Sequence, residues 1–143
     1  MAVNQVSVFL ENKVGRLAEI TRVLGEKGVN IRALSIADTT EFGILRMILT
    51  RPDEVRGILE EAGFTVSETE VIVVEVPDEP GGLARVLSSL REAQMNMEYL
   101  YAFVAPRGKN ALVVMKVEKI EEARKLLEEK KVKILTSREI ETL

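Results

Sequence analysis

Histidine, cysteine and tryptophan are absent from this chain of 143 residues. Their absence removes imidazole bases, thiol nucleophiles, disulfides and zinc sites of the usual Cys/His type. Ser35 and Ser88 have no histidine to activate them, and nothing pairs with Asp78 or Glu79 as a base would require. Neither a catalytic residue, a metal site nor a cofactor is expected. Long apolar runs are missing too: none approaches the roughly 20 residues of a spanning helix. The opening MAVNQVSVFLEN lacks the basic region and apolar run of a signal peptide. Positive charge is not in excess. Residues 1–68 hold 8 Lys+Arg against 10 Asp+Glu, residues 69–143 hold 12 against 13, and the total is -3. A nucleic-acid role therefore has no electrostatic support. With 30% charged and 46% hydrophobic residues, the composition is that of a soluble globular protein. A cytoplasmic protein is expected, with neither a membrane nor a nucleic acid among its partners.

What the chain does have is a repeat. At an offset of 66, Val6, Val8, Asn12, Gly15, Leu17, Ala18, Leu24, Glu26, Asn30 and Leu34 fall on Ile72, Val74, Asp78, Gly81, Leu83, Ala84, Leu90, Glu92, Asn96 and Leu100, most of them identical. A period this long exceeds a solenoid unit and means two copies of one small domain, here 1–68 and 69–143. A lone domain of about 60 to 70 residues buries too little surface to be more than marginal. The copies are expected to lean on each other or on a second chain.

Each copy orders its elements alike. Val6, Val8 and Leu10 alternate over Gln5–Leu10, as do Ile72, Val74 and Val76, which reads as a half-buried strand. After a turn (Glu11–Gly15, Pro77–Gly82), Leu17, Ile20, Val23 and Leu24 recur at helical spacing, as do Leu83, Val86, Leu87 and Leu90. Gly28 stands where a C-terminal helix glycine belongs, with Gln94 in its place in the second copy. Two strands follow, about 30–37 and 42–50, with counterparts at about 96–104 and 111–117. The second hairpin, APRGKN, is two residues longer, moving the offset to 68. A second helix from Pro52 carries Val55, Ile58, Leu59 and Ala62 inward, matched by Ile120, Ala123, Leu126 and Leu127. Short strands at 64–67 and 132–135 close the copies. The order β-α-β-β-α-β, twice, with right-handed crossovers, predicts an α+β protein. It has two ferredoxin-like repeats with antiparallel sheets and helices on one face. Only Glu68 and Thr69 separate the copies, so a continuous strand and a continuous paired sheet are expected.

The first strand-to-helix turn carries the most chemistry. Gly15 removes a side chain where the backbone enters the helix, leaving N-terminal amides open to a carboxylate or other anion. Asn12 adds a donor and an acceptor, which suits a zwitterion. Alternatively, Asn12 and Gly15 only cap the helix, and Asn30 and Asn96 either orient a ligand or satisfy the turn into the next strand. Pro80-Gly81-Gly82 lacks the Gly-Lys-Ser/Thr of a phosphate loop and reads as a turn. Tyr99 and Tyr101 alternate with Met97 and Phe103 on one face of a strand, where sheet packing or a pocket could use them.

The run LENKVGRLAEITRVLGEKGVNIRALSIADT resembles the ACT domain, a module that senses small molecules. It has that module's strand-(N/D)-x-x-G-x-L-helix-(G)-x-N-I-strand signature, and VPDEPGGLARVLSSLREAQMNMEYL has a variant of it. The resemblance spans about residues 3–136 and is to tandem ACT proteins without an attached enzyme. It implies a non-catalytic regulatory protein whose effector is a free amino acid bound where two lobes pair. A metabolic enzyme is the implied partner, and a homo-oligomer such as a dimer the implied assembly. By position, the implied ligand residues are Asn12, Val14, Gly15, Arg16 and Leu17, with Asn30 and Ile31 opposite. In the second copy they are Asp78, Pro80, Gly81, Gly82 and Leu83, with Asn96 and Met97. Asp78 in place of asparagine either repels a carboxylate or holds an ammonium group, so unequal occupancy is expected. The first copy also resembles the start of the small regulatory subunit of acetolactate synthase, which implies an enzyme subunit as an alternative. A structural oligomerisation module is another.

Overall fold

Alternation in the first strand places Val6 and Val8 beneath the helices, and in the computed structural model it forms β1 (Val3–Glu11). The structure describes residues 2–11, 13–38, 41–104, 108 and 110–143. Helix α1 (Arg16–Glu26) follows, then β2 (Ile31–Asp38), β3 (Phe42–Leu49), α2 (Pro52–Glu61) and β4 (Thr65–Pro77). The second repeat continues with α3 (Gly82–Glu92), β5 (Met97–Ala102), β6 (Asn110–Val117), α4 (Ile120–Glu129) and β7 (Lys133–Ile134), and α5 (Ser137–Glu141) ends the chain. This is the expected α+β order. The chain divides into two compact units, Asn4–Thr69 and Glu70–Leu143 with the first three residues, called lobe one and lobe two below.

Lobe one has strand order β2-β3-β1-β4. Antiparallel register sets Val6 opposite Met47 and Val8 opposite Leu45 on one side of β3, and Leu34 and Ile36 opposite the same two residues on the other. Paired residues share a face, so this row faces the helices. Ile20 and Leu24 of α1, Val55 and Leu59 of α2, and Phe64 complete the core. Lobe two repeats the plan as β5-β6-β4-β7, with Ile72 opposite Met115 and Val74 opposite Val113. Its core joins them to Val86, Leu90, Ala123 and Leu127. Each fully buried aliphatic side chain contributes roughly 1.5–3 kcal/mol.

Helix ends repeat as closely as the core. The amides of Gly28 and Val29 donate to Gly25 and Leu24 carbonyls, and those of Gln94 and Met95 donate to Arg91 and Leu90. Both C-terminal turns need positive φ: Gly28 takes 72° and Gln94 takes 54°. At the second helices, Gly63 and Phe64 bond as Lys131 and Val132 do, fixing the later offset at 68. Its cause, the longer hairpin, lies mostly outside the described residues at 105–107 and 109.

Two features depart from the sequence reading, and one expectation holds: the segments read at 64–67 and from about Ile72 are one continuous strand, β4, without a break at Glu68 and Thr69. Its run from Thr65 to Val76 contains neither Gly nor Pro and is rich in β-branched residues, which hold extended backbone. Met97 does not share a face with Tyr99 and Tyr101. A register shift between Met97 and Tyr99 sets Met97 opposite Val117 and Tyr99 opposite Lys116, so Met97 packs against the helix-side core. The same irregularity stands between Ile31 and Ala33 in lobe one. Finally, α5 was not anticipated. Its signal is a capping box: Thr136 accepts from the Glu139 amide while Glu139 accepts from Thr136, and Ile140 anchors it at 2% exposure.

Candidate functional site

In lobe one the chain leaves β1 through a tight turn in which the Lys13 amide donates to the Glu11 carbonyl at 2.7 Å. Gly15 then adopts φ 86° and ψ -4° and serves as the N-cap of α1. A left-handed N-cap has no Cβ clash only for glycine. Among the described residues no side chain caps the helix. The Glu19 amide bonds back to Gly15, while the first-turn amides of Leu17 and Ala18 have no intrahelical acceptor and carry the positive end of the helix dipole.

Beside these amides lies a cavity of about 180 Å³, walled by Leu10, Leu17, Ile36 and Gly43 and rimmed by Glu11, Lys13, Arg16 and Asp38. This is below the roughly 300–1,000 Å³ of drug-sized ligand pockets, so the cavity suits only a small molecule. Antiparallel register gathers the strand residues, since Leu10 and Asp38 both stand opposite Gly43. Glu11 pairs with Lys13 at 2.8 Å and with Arg16 at 3.8 Å, and Arg16 also meets Glu19 at 3.3 Å. The Lys13 hydrogen bond and charge hold the Glu11 carboxyl below its ordinary value, burial opposes them, and Arg16 adds a smaller lowering. Arg16 is further fixed by lying 5.2 Å over the Phe64 ring. The arrangement offers amides and cations to a carboxylate, and Glu11 and Asp38 to an ammonium group.

The expected site residues separate into groups. Gly15, Arg16 and Leu17 are at the cavity or its turn, and Val14 projects into solvent at 107% relative exposure. Asn12 lies outside the described residues. Asn30 and Ile31 stand beyond the far end of α1 and do not line the cavity. The Asn30 amide donates to Thr50 Oγ1 at 2.9 Å and its carbonyl accepts from the Thr50 amide at 3.0 Å. Glu11, Lys13, Ile36, Asp38 and Gly43 were missed. Their signal lay in strand pairing, which brings together positions distant in the chain.

Lobe two repeats the backbone and changes the chemistry. Gly81 is a left-handed N-cap at φ 84°, again without a capping side chain. Asp78 is exposed, and the Glu79 amide bonds to the Pro77 carbonyl at 2.9 Å. Gly82 is buried so tightly that a Cβ there would overlap the Pro77 carbonyl. Pro80 is exposed in the turn and Leu83 packs against the core. Asn96 accepts from the Glu118 amide, as Asn30 does from Thr50, while Met97 faces the core. Among the described residues no three acidic side chains converge as a metal site would, and no helix is long and apolar enough to cross a membrane.

Against this geometry stand the comparisons. The profile of a family described as an ACT domain pair matches residues 1–143. A crystal structure of a protein from Bacteroides thetaiotaomicron is 38% identical, with a TM-score of 0.93 and coverage of 100% of this chain and 98% of that one. The regulatory subunit of aspartate kinase from Thermus thermophilus, ligand free, shares the fold at a TM-score of 0.65 and 15% identity, over 90% and 91% of the two chains. That from Thermus flavus does so at 0.59 and 14%, over 90% of each. No curated protein sequence matches the chain.

Proposed function

The chain belongs to the ACT domain-pair family, and from that premise we propose that it is a regulatory sensor without chemistry of its own. It binds a small free amino acid at the β1–α1 loop of lobe one and passes the event to a partner protein, a metabolic enzyme. The observation that carries the reading is the helix start: Gly15 at the N-cap has no side chain to offer the α1 amides, and beside them lies a cavity ringed by both signs of charge. A zwitterion needs both. The loop of lobe two has the same backbone but an exposed Asp78 and a sealed Gly82, which supports unequal occupancy. Asn30 and Ile31 are remote from the loop of their own lobe, so they contribute to a ligand only when another lobe faces them, in the same chain or in a second copy. A homodimer is one form of the reading.

The test is a thermal-shift screen of the full chain against the common amino acids, with any hit titrated by calorimetry. A bound effector stabilises the fold by about 2.7 kcal/mol at a hundredfold excess over its Kd. One saturable hit, lost in Gly15→Ala, is the expected result. A flat screen would sink the amino-acid reading. Isolation from native cells tests the partner: a stoichiometric enzyme is expected, and recovery of the chain alone argues against it.

A further inference from the structure

The lobes differ most on the side of the strand-helix loop away from the cavity of lobe one. In lobe one that side is bridged, because Arg16 from the start of α1 lies over Phe64 from the α2–β4 turn, and Phe64 is 6% exposed. At the corresponding positions lobe two has Gly82 and Val132, a bare backbone and a short aliphatic chain. A groove of about 500 Å³ opens there between α3, the end of β4 and the α4–β7 turn. β7 contributes to the opening by pairing only with Val74 and Glu75, stopping short of Pro77. The volume is that of a metabolite site.

Its charge is equally distinct. Ala62, Gly63 and Thr65 of lobe one become Lys130, Lys131 and Lys133, all lining the groove with Arg85, against one lining carboxylate, Glu75. Glu139 holds Lys133 at 3.1 Å and Glu79 holds Arg85 at 2.6 Å. Lys130 and Lys131 carry no ion pair among the described residues. Lys131 moreover stands at φ 60°, where lobe one has Gly63 at φ 92°. A side chain in that conformation is unfavourable, yet a cation occupies it. A chain of net charge -3 thus gathers four cations around one concavity, with the Ser89 hydroxyl and Asn110 amide as further polar groups in its wall.

We propose that this groove is a second ligand site, specific to lobe two, for a small multiply charged anion of phosphate or carboxylate chemistry. Lys130 and Lys131 meet the anion, Lys133 and Arg85 are set by their glutamates at its edge, and Gly82 and Val132 leave its room. The site is independent of the amino-acid cavity, which lies wholly in lobe one.

Calorimetric titration of the full chain at low ionic strength with inorganic pyrophosphate, and separately with citrate, tests it. Saturable one-to-one binding of at least one probe is expected, weakening steeply as salt screens the lysines, and the stronger probe identifies the source chemistry. Two variants remove what distinguishes lobe two. Val132→Phe fills the groove. Lys130→Gln with Lys131→Gly removes the free cations and installs the residue that the backbone favours, so folding is retained. Each should raise Kd at least about tenfold, the first by occupying the anion's room and the second by the loss of charge-assisted contacts. The amino-acid response of lobe one should be unchanged. No saturable binding of either probe, or equal binding by both variants, overturns the site.

Discussion

Single residues decide how each helix start can be used. Gly15 and Gly81 take the same left-handed conformation, but the two loops fail differently when a methyl group is added. At Gly15 a Cβ meets nothing within 4 Å, so Gly15→Ala costs only the backbone conformation, about 1–2 kcal/mol, measurable by urea denaturation. At Gly82 it meets the Pro77 carbonyl, and Gly82→Ala should cost about 1–3 kcal/mol as the helix start shifts. Gln94 reverses the logic. Held at φ 54° where the first repeat has glycine, it should yield about 1 kcal/mol of stability on Gln94→Gly, and an unchanged melting temperature would contradict this. Glu11 gives the pH signature. Its carboxyl is held below its ordinary value, chiefly by Lys13, so its contribution is complete above the unfolded value near 4.5 and is lost as pH falls through the lower folded one. Glu11→Gln should therefore be less stable than the parent at pH 7, and urea curves of the two should converge once the parent carboxyl is protonated. A gap that persists in strong acid would assign the effect to something other than charge.

At the scale of elements, the sheet-facing side of each helix holds its lobe together. Leu59 of α2 is fully buried in the core of lobe one, and Leu59→Ala should cost about 2–5 kcal/mol. Leu127, its counterpart in lobe two, should behave alike, and a loss under 1 kcal/mol at either would show that the site collapses around the gap. These positions were legible because helical spacing of Val55, Leu59 and Ala62, or alternation of Val6 and Val8, is written in consecutive residues. The left-handed glycines were legible for the same reason. What escaped depends on the third dimension. Glu11, Asp38 and Gly43 meet through strand register, which no local pattern states. The shift between Met97 and Tyr99 turns one residue to the other face while leaving the alternation of letters intact. Thr136 and Glu139 did carry a local signal, but it followed a two-residue strand and capped a helix too short to show a period.

Over the whole molecule, the chain is a duplication whose copies keep their backbone and part company in their side chains. The aliphatic core, the glycine turns and the helix ends recur at offsets of 66 and 68, whereas the Arg16 and Phe64 bridge of one lobe becomes the lysine-lined groove of the other. β4 joins them as one strand from Thr65 to Pro77, with neither a hinge residue nor a loop. A glutamate-specific protease should leave Glu75 intact under native conditions, because its backbone pairs with Leu112 on one side and Lys133 on the other and must open locally before it can enter a protease cleft. Mass spectrometry of early fragments would detect the contrary, a first cut after that residue. The strand also constrains ancestry. One copy ends and the next begins inside a single strand, so an exchange of one repeat for another must rejoin extended backbone in register, where a slip of one residue turns every following side chain of β4 to the other face.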